Sequence, residues 1–168
     1  MADKQDAIAL LKADHRAVEE LFEKFEGAKG DGAKRKLALE ICLQLTIHTR
    51  IEEEIFYPAC EGKIEEDLLK EAYVEHDGAK VLIAEIEAGA PSDEFYDAKV
   101  QVLSEQIEHH VKEEEQRMEG MFSQARKAGL DMDALGDALR ARKAELLAQY
   151  QSDGLPKPET TTLTDATV

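Results

Sequence analysis

Cysteine, basic charge and long apolar runs are scarce in this sequence, and each scarcity excludes something. The only cysteines, Cys42 and Cys60, stand 18 positions apart with no CxxC pair, which fits neither a disulfide framework nor a zinc-finger spacing. No apolar stretch approaches the ~20 residues of a membrane-spanning helix. The N-terminal MADKQDAIALLKADHR breaks its apolar residues with Asp and Lys, so no signal-peptide core is visible and a reducing, cytoplasmic setting is expected. Lysine and arginine number 21 against 37 aspartates and glutamates, a formal charge of −16. Such a surface repels phosphate backbones, so neither nucleic acid nor an anionic membrane is an expected partner. Period-2 alternation bounded by turn residues is absent as well, and strands are not required.

What remains is helical. A length of 168 residues suits one domain with a tail, and 43% hydrophobic residues argues against global disorder. Glycine and proline punctuate the chain at 27–32, at 58–62, at 89–92 and more weakly at 129–131. The stretches between are rich in Ala, Leu, Glu and Lys, good helix formers. The pattern predicts helices over 4–26, 33–57, 64–88, 93–127 (loosened at Gly120) and 132–150, the last capped by Asp131. Short loops between long amphipathic helices force neighbours antiparallel. The expected fold is therefore all-α, an up-down-up-down antiparallel four-helix bundle over 1–128. An accessory C-terminal helix follows in 129–151, and a Thr- and Pro-rich tail, 152–168, is expected to be disordered. The stripe Met132, Leu135, Leu139, Leu146 and Tyr150 either covers the bundle or makes a homodimer.

Alternating three- and four-residue spacing of apolar side chains marks the inward seam of each bundle helix. The four seams read Ile8, Leu11, His15, Val18, Phe22, Phe25; then Leu37, Ile41, Leu45, His48, Glu52, Ile55; then Leu69, Ala72, His76, Ala79, Ile83, Ile86; and Val100, Leu103, Ile107, His110, Glu114, Met121. Each carries one histidine, and two add a glutamate one turn later on the same face. Four of five histidines would land on a two-in-seven seam by chance roughly (2/7)^4 of the time, below ~1%. Midpoints between successive histidines fall at 31.5, 62 and 93, all on expected loops, so the four share one level of an antiparallel bundle.

Buried glutamate needs a counter-charge or a metal, and apart from Lys80 no base lies at this level. His15, His48, Glu52, His76, His110 and Glu114 therefore read as a metal cage. Nitrogen and carboxylate donors without thiolate suit Fe, Mn or Zn. Six side chains exceed the three or four zinc takes, and they suit two ions, with iron the leading candidate. His109 is rotated by about 100° from the seam, exposed or backing a ligand. Cys42 and Cys60 are packing or surface thiols.

The ordered signatures Asp14-His15-Arg16, His48-Thr-Arg-Ile-Glu52-Glu-Glu-Ile-Phe-Tyr-Pro58, Glu75-His76-Asp77 and His109-His110-Val-Lys-Glu-Glu114-Glu resemble the hemerythrin-like HHE cation-binding family over about 5–125. The resemblance implies a non-haem di-iron centre with an oxo or hydroxo bridge, reacting with dioxygen, peroxide or nitric oxide. By that analogy His15 and His48 hold one iron, His76 and His110 the other, and Glu52 and Glu114 bridge. Oxygen-carrying members place a fifth histidine one turn after the third, where this chain has Lys80. The gap is open to water, a small molecule or Tyr73, three residues before His76, which alternatively packs as an aromatic beside the site. Lys80 is expected as a neighbouring donor rather than a ligand. Three functions stay in view: a di-iron protein that senses, carries or stores; a peroxidase-, catalase- or ferroxidase-like enzyme; and an interaction module with a vestigial cage.

Overall fold

The computed structural model describes residues 4–164, and among these every regular element is helical. They are α1 (Ala7–Gly27), α2 (Asp31–Ile51), a π-helical turn (Glu52–Phe56), α3 (Tyr57–Cys60), α4 (Glu66–Ala88), α5 (Tyr96–Glu115), α6 (Met121–Lys127) and α7 (Met132–Asp153). No helix among the described residues is long and apolar enough to cross a membrane. α1 packs on α2, α2 on α4, α4 on α5, and α5 closes on α1. The start of α2 meets the end of α4: Arg35 donates to the carbonyls of Ile86, Glu87 and Gly89, while Lys34 pairs with Asp97 at the start of α5.

The seams of α1, α4 and α5 are buried as their periodicity requires. The apolar core nevertheless comes in two pieces. One gathers Leu11, Ile51, Phe56, Tyr57, Leu69, Met121 and Leu139; the other gathers Val18, Phe22, Ile41, Leu45, Ile83, Leu103 and Ile107. Between them lie buried polar residues, His15, His48, Glu52, His76, His110 and Glu114. No apolar side chain can occupy that level without displacing one of these groups.

Three expectations need correction. The seam of the second helix is interrupted: Ile55 is only half-buried, while Phe56 and Tyr57 are fully buried. The amide of Tyr57 donates to the carbonyl of Glu52, five residues back, and the added residue in that turn rotates everything after it. Pro58 has no N–H to offer the carbonyl four residues earlier, so an α ladder could not run unbroken there. Next, the fourth helix does not continue over 93–127. It ends at Glu115, and α6 begins after an extended Gly120. A Cβ at Gly120 would lie 2.4 Å from the carbonyl oxygen of Gln116, a contact only glycine avoids.

The third correction concerns the tail. Positions 165–168 lie outside the described residues, but up to 164 the tail packs on the bundle. The chain turns at Gly154 (φ +82°) and crosses α2 and α4, roofing a cavity of about 600 Å³. The buried Asp77 carboxylate then accepts the amides of Thr161, Thr162 and Leu163 and the Thr162 hydroxyl, at 2.5–3.0 Å. A Thr- and Pro-rich composition points to disorder; a buried carboxylate that needs donors overrides it.

α7 is used within the chain. It begins at an Asp131 cap that accepts from the Ala134 amide at 3.0 Å and buries Met132, Leu139, Leu146 and Tyr150 against α1 and α2. Gly136 permits this, since a Cβ there would meet the Ala7 amide nitrogen and the Gln5 carbonyl at 2.9 Å.

Two outcomes are expected. The amides of Thr161–Leu163 should show hydrogen-exchange protection that Asp77→Ala abolishes; unprotected amides in the parent chain would refute the latch. Burial pushes the thiols of Cys42 and Cys60 up to about 12, so at pH 8 neither should react with a thiol reagent until the chain is unfolded.

Candidate metal centre

The four seam histidines do converge, with their Nε2 atoms pointing inward. His15 and His48 approach to 3.1 Å between Nε2 atoms on α1 and α2, and His76 and His110 to 3.2 Å on α4 and α5. Glu52 and Glu114 lie between these pairs, 0% and 1% exposed, and each divides its oxygens between them. Glu52 sets Oε1 3.3 Å from His48 and Oε2 3.1 Å from His76. Glu114 sets Oε2 3.2 Å from His15 and Oε1 3.1 Å from His110.

Each imidazole is also held from behind. Nδ1 of His15 faces Glu115 at 2.7 Å, that of His48 faces Asp14 at 3.3 Å, that of His76 faces Glu53 at 3.0 Å, and that of His110 faces Glu75 at 3.4 Å. An ionised carboxylate can only accept, so Nδ1 carries the proton and the neutral ring presents a lone pair at Nε2. This carboxylate–imidazole arrangement aims and strengthens metal-binding histidines. Each carboxylate meets a basic side chain in turn: Glu115 meets Arg16 (3.1 Å), Glu53 meets Lys80 (2.9 Å), Asp14 meets Lys143, and Glu75 lies 3.6 Å from His109.

Tyr57, which the α-periodicity hid, completes the layer. Five positions after Glu52 lies about 140° around an α-helix; the π turn brings Tyr57 onto the same face. Its hydroxyl oxygen stands 2.8 Å from Glu114 Oε1, 3.2 Å from Glu52 Oε2, 3.0 Å from His76 Nε2 and 3.4 Å from His110 Nε2. The available signal was a tyrosine directly before a proline inside a helical pattern. Tyr73 is not part of the layer: it packs edge-on against the Tyr57 ring, centroids 5.2 Å apart. Lys80 points to Glu53, Asp77 and the Glu159 carbonyl. His109 is exposed beside Glu113 at 3.2 Å.

The donor chemistry fits cations. Four imidazole lone pairs and four carboxylate oxygens converge with one hydroxyl proton to share. Glu52 Oε1 and Glu114 Oε2 are buried and find no hydrogen bond among the described residues, which costs ~1–3 kcal/mol or more for each such group. Two sets of atoms are spaced to surround an ion, one from His15, His48, Glu52 and Glu114, the other from Glu52, His76 and His110. In the absence of a cation, protons must balance the charge. Burial works to depress His48, yet the Glu52 and Asp14 carboxylates hold its imidazole up at about 10. Burial works to raise Glu114, and the imidazoles of His110 and His15 hold it well below the carboxylate range.

The hemerythrin HHE cation binding domain matches residues 6–122. The chain belongs to the hemerythrin HHE cation-binding family. A solved HHE cation binding domain-containing protein from Mycobacterium kansasii shares the fold: TM-score 0.74 over 90% of this chain and 95% of that one, at 22% identity. A protein named DNA nickase from Nostoc sp. (strain PCC 7120 / SAG 25.82 / UTEX 2576) is 29% identical over 116 residues, 68% of this chain. This HHE chain spans only a third (33%) of that protein's length, and the activity named there is that protein's. As a family member the chain carries a cation-binding domain, and its histidine–glutamate clusters are able to hold metal.

Proposed function

We propose that this HHE domain holds two iron ions and uses them to bind or react with dioxygen, peroxide or nitric oxide. In this reading His15 and His48 hold one iron, His76 and His110 hold the other, and Glu52 and Glu114 bridge. The observation that carries it is the division of each carboxylate between the two histidine pairs. Each carboxylate thus offers one oxygen to either pair, as a bridge between two ions requires. Nitrogen and oxygen donors without thiolate suit iron, and their number calls for two ions rather than one.

Bound iron supplies redox electrons and a site at which a small oxidant can be held. The chain's residues supply the rest. Tyr57 takes the place left by Lys80, giving the His76–His110 half five oxygen and nitrogen donors against four in the His15–His48 half. Room for a ligand is therefore greater in the latter. Burial, with the Glu114 and Glu52 charges beside it, pushes the Tyr57 hydroxyl well up, so it keeps its proton until a cation offsets those charges. Val18, Leu45, Ile107 and Val111, with the histidines, line a cavity of about 10 Å³. That is room for about one water, so a ligand entering there must be small.

Protein purified without added iron should carry two irons per chain; less than one transition-metal ion per chain refutes the reading. A ligand held at a hundred times its Kd stabilises by about 2.7 kcal/mol, so metal removal should lower the melting temperature by roughly 5–10 °C. Equal values with and without metal count against the cage. Stopped-flow mixing of reduced protein with dioxygen and with peroxide separates a reversible adduct from turnover.

The ferric protein should show a visible phenolate charge-transfer band that disappears in Tyr57→Phe and survives in Tyr73→Phe. The reverse pattern would return the ligand role to Tyr73.

A further inference from the structure

Three of the four side chains that back the outer carboxylates, Arg16, Lys80 and His109, lie inside the segment that matches the family, which ends at residue 122. Lys143 does not; it belongs to α7. That helix is held in register independently of Lys143. Gly136 admits its backbone against the start of α1, and Leu139 and Leu146, four residues before and three after Lys143, are buried. Lys143 thus projects from the inward face, and its ammonium reaches Asp14 Oδ1 while Oδ2 of the same carboxylate takes the Nδ1–H of His48. Asp14 is 12% exposed and Lys143 31%, so water shields this contact only in part.

We propose that Lys143 is a positioning residue for the metal centre, through which α7 sets the reduction potential of the ion held by His48. The inference rests on the iron-pair reading. A carboxylate that accepts from Nδ1–H makes imidazole a stronger electron donor to the metal. A cation on the other oxygen draws charge from that carboxylate and weakens its pull. With Lys143 in place His48 is the poorer donor and the reduced ion is favoured. Without it, Asp14 pulls harder, the oxidised ion is favoured, and the potential falls. Loss of a nearby positive charge acts with the same sign.

Lys143→Met keeps the apolar stem and removes the charge. Its iron-loaded protein should show a lowered midpoint potential, Lys143→Arg should restore the parent value, and Lys143→Met should have a smaller effect in an Asp14→Asn background, where only the direct charge effect remains. Arg142→Met is the control for docking alone: Arg142 pairs with Glu54 at 2.7 Å, which touches none of the histidines. It should lower the melting temperature and leave the potential unchanged. A second readout needs no metal: in metal-free Lys143→Met the His48 Nδ1 proton resonance should move downfield as its bond to Asp14 strengthens. An unmoved resonance, or a potential that is unchanged in Lys143→Met or shifts equally in Arg142→Met, overturns the inference. Parent protein that fails to load iron or gives no reversible redox wave instead refutes the iron-pair reading.

Discussion

Two carboxylates, Glu52 and Glu114, sit at the centre of a helical bundle with no exposed edge, and the rest of the molecule is arranged around the need to neutralise them. An ionised carboxylate in a low-dielectric interior is tolerated only with a positive partner at close range. Among the described residues no lysine or arginine reaches them; the bundle provides four imidazoles whose outer nitrogens are already committed to carboxylates. The inner face of the layer is consequently rich in lone pairs and poor in protons. Cations satisfy that arrangement directly, whereas protons satisfy it only by charging the histidines.

The same constraint shapes the surrounding fold. The apolar core is divided by the polar layer, and one of its two parts leans on α6 and α7. The π turn disturbs the hydrogen-bond ladder of the second helix where an extra donor is needed, bringing Tyr57 beside His76 and His110. Outside the histidines, alternating negative and positive side chains carry the charge pattern to the surface. One of these contacts comes from α7 and one cluster involves the C-terminal segment, so parts of the chain beyond the family-matching segment bear on the centre.

Much of this was legible in the residue pattern. His15, His48, His76 and His110 fall on α-helical seams, and loop midpoints placed them at one level, because a straight α-helix has a fixed rise and turn. Glu52 and Glu114 follow one turn after a histidine, where direction is still set locally. Tyr57 escaped because the phase of a helix holds only while its ladder is unbroken. Tyr73 looked well placed by the same logic, one turn from His76, but Tyr57 lies between it and the layer.

The sequence by itself determined the main helices, the face each histidine occupies and the set of four histidines and two glutamates, since these follow from local periodicity and side-chain chemistry. Tertiary structure decided which atoms meet across helices. It selected Tyr57 over Tyr73, placed Lys80 behind Glu53, brought Lys143 from α7 to Asp14, and seated the tail on Asp77. These contacts join positions up to 129 residues apart in the chain, and no short-range pattern encodes a pairing that only the packing of separate helices creates.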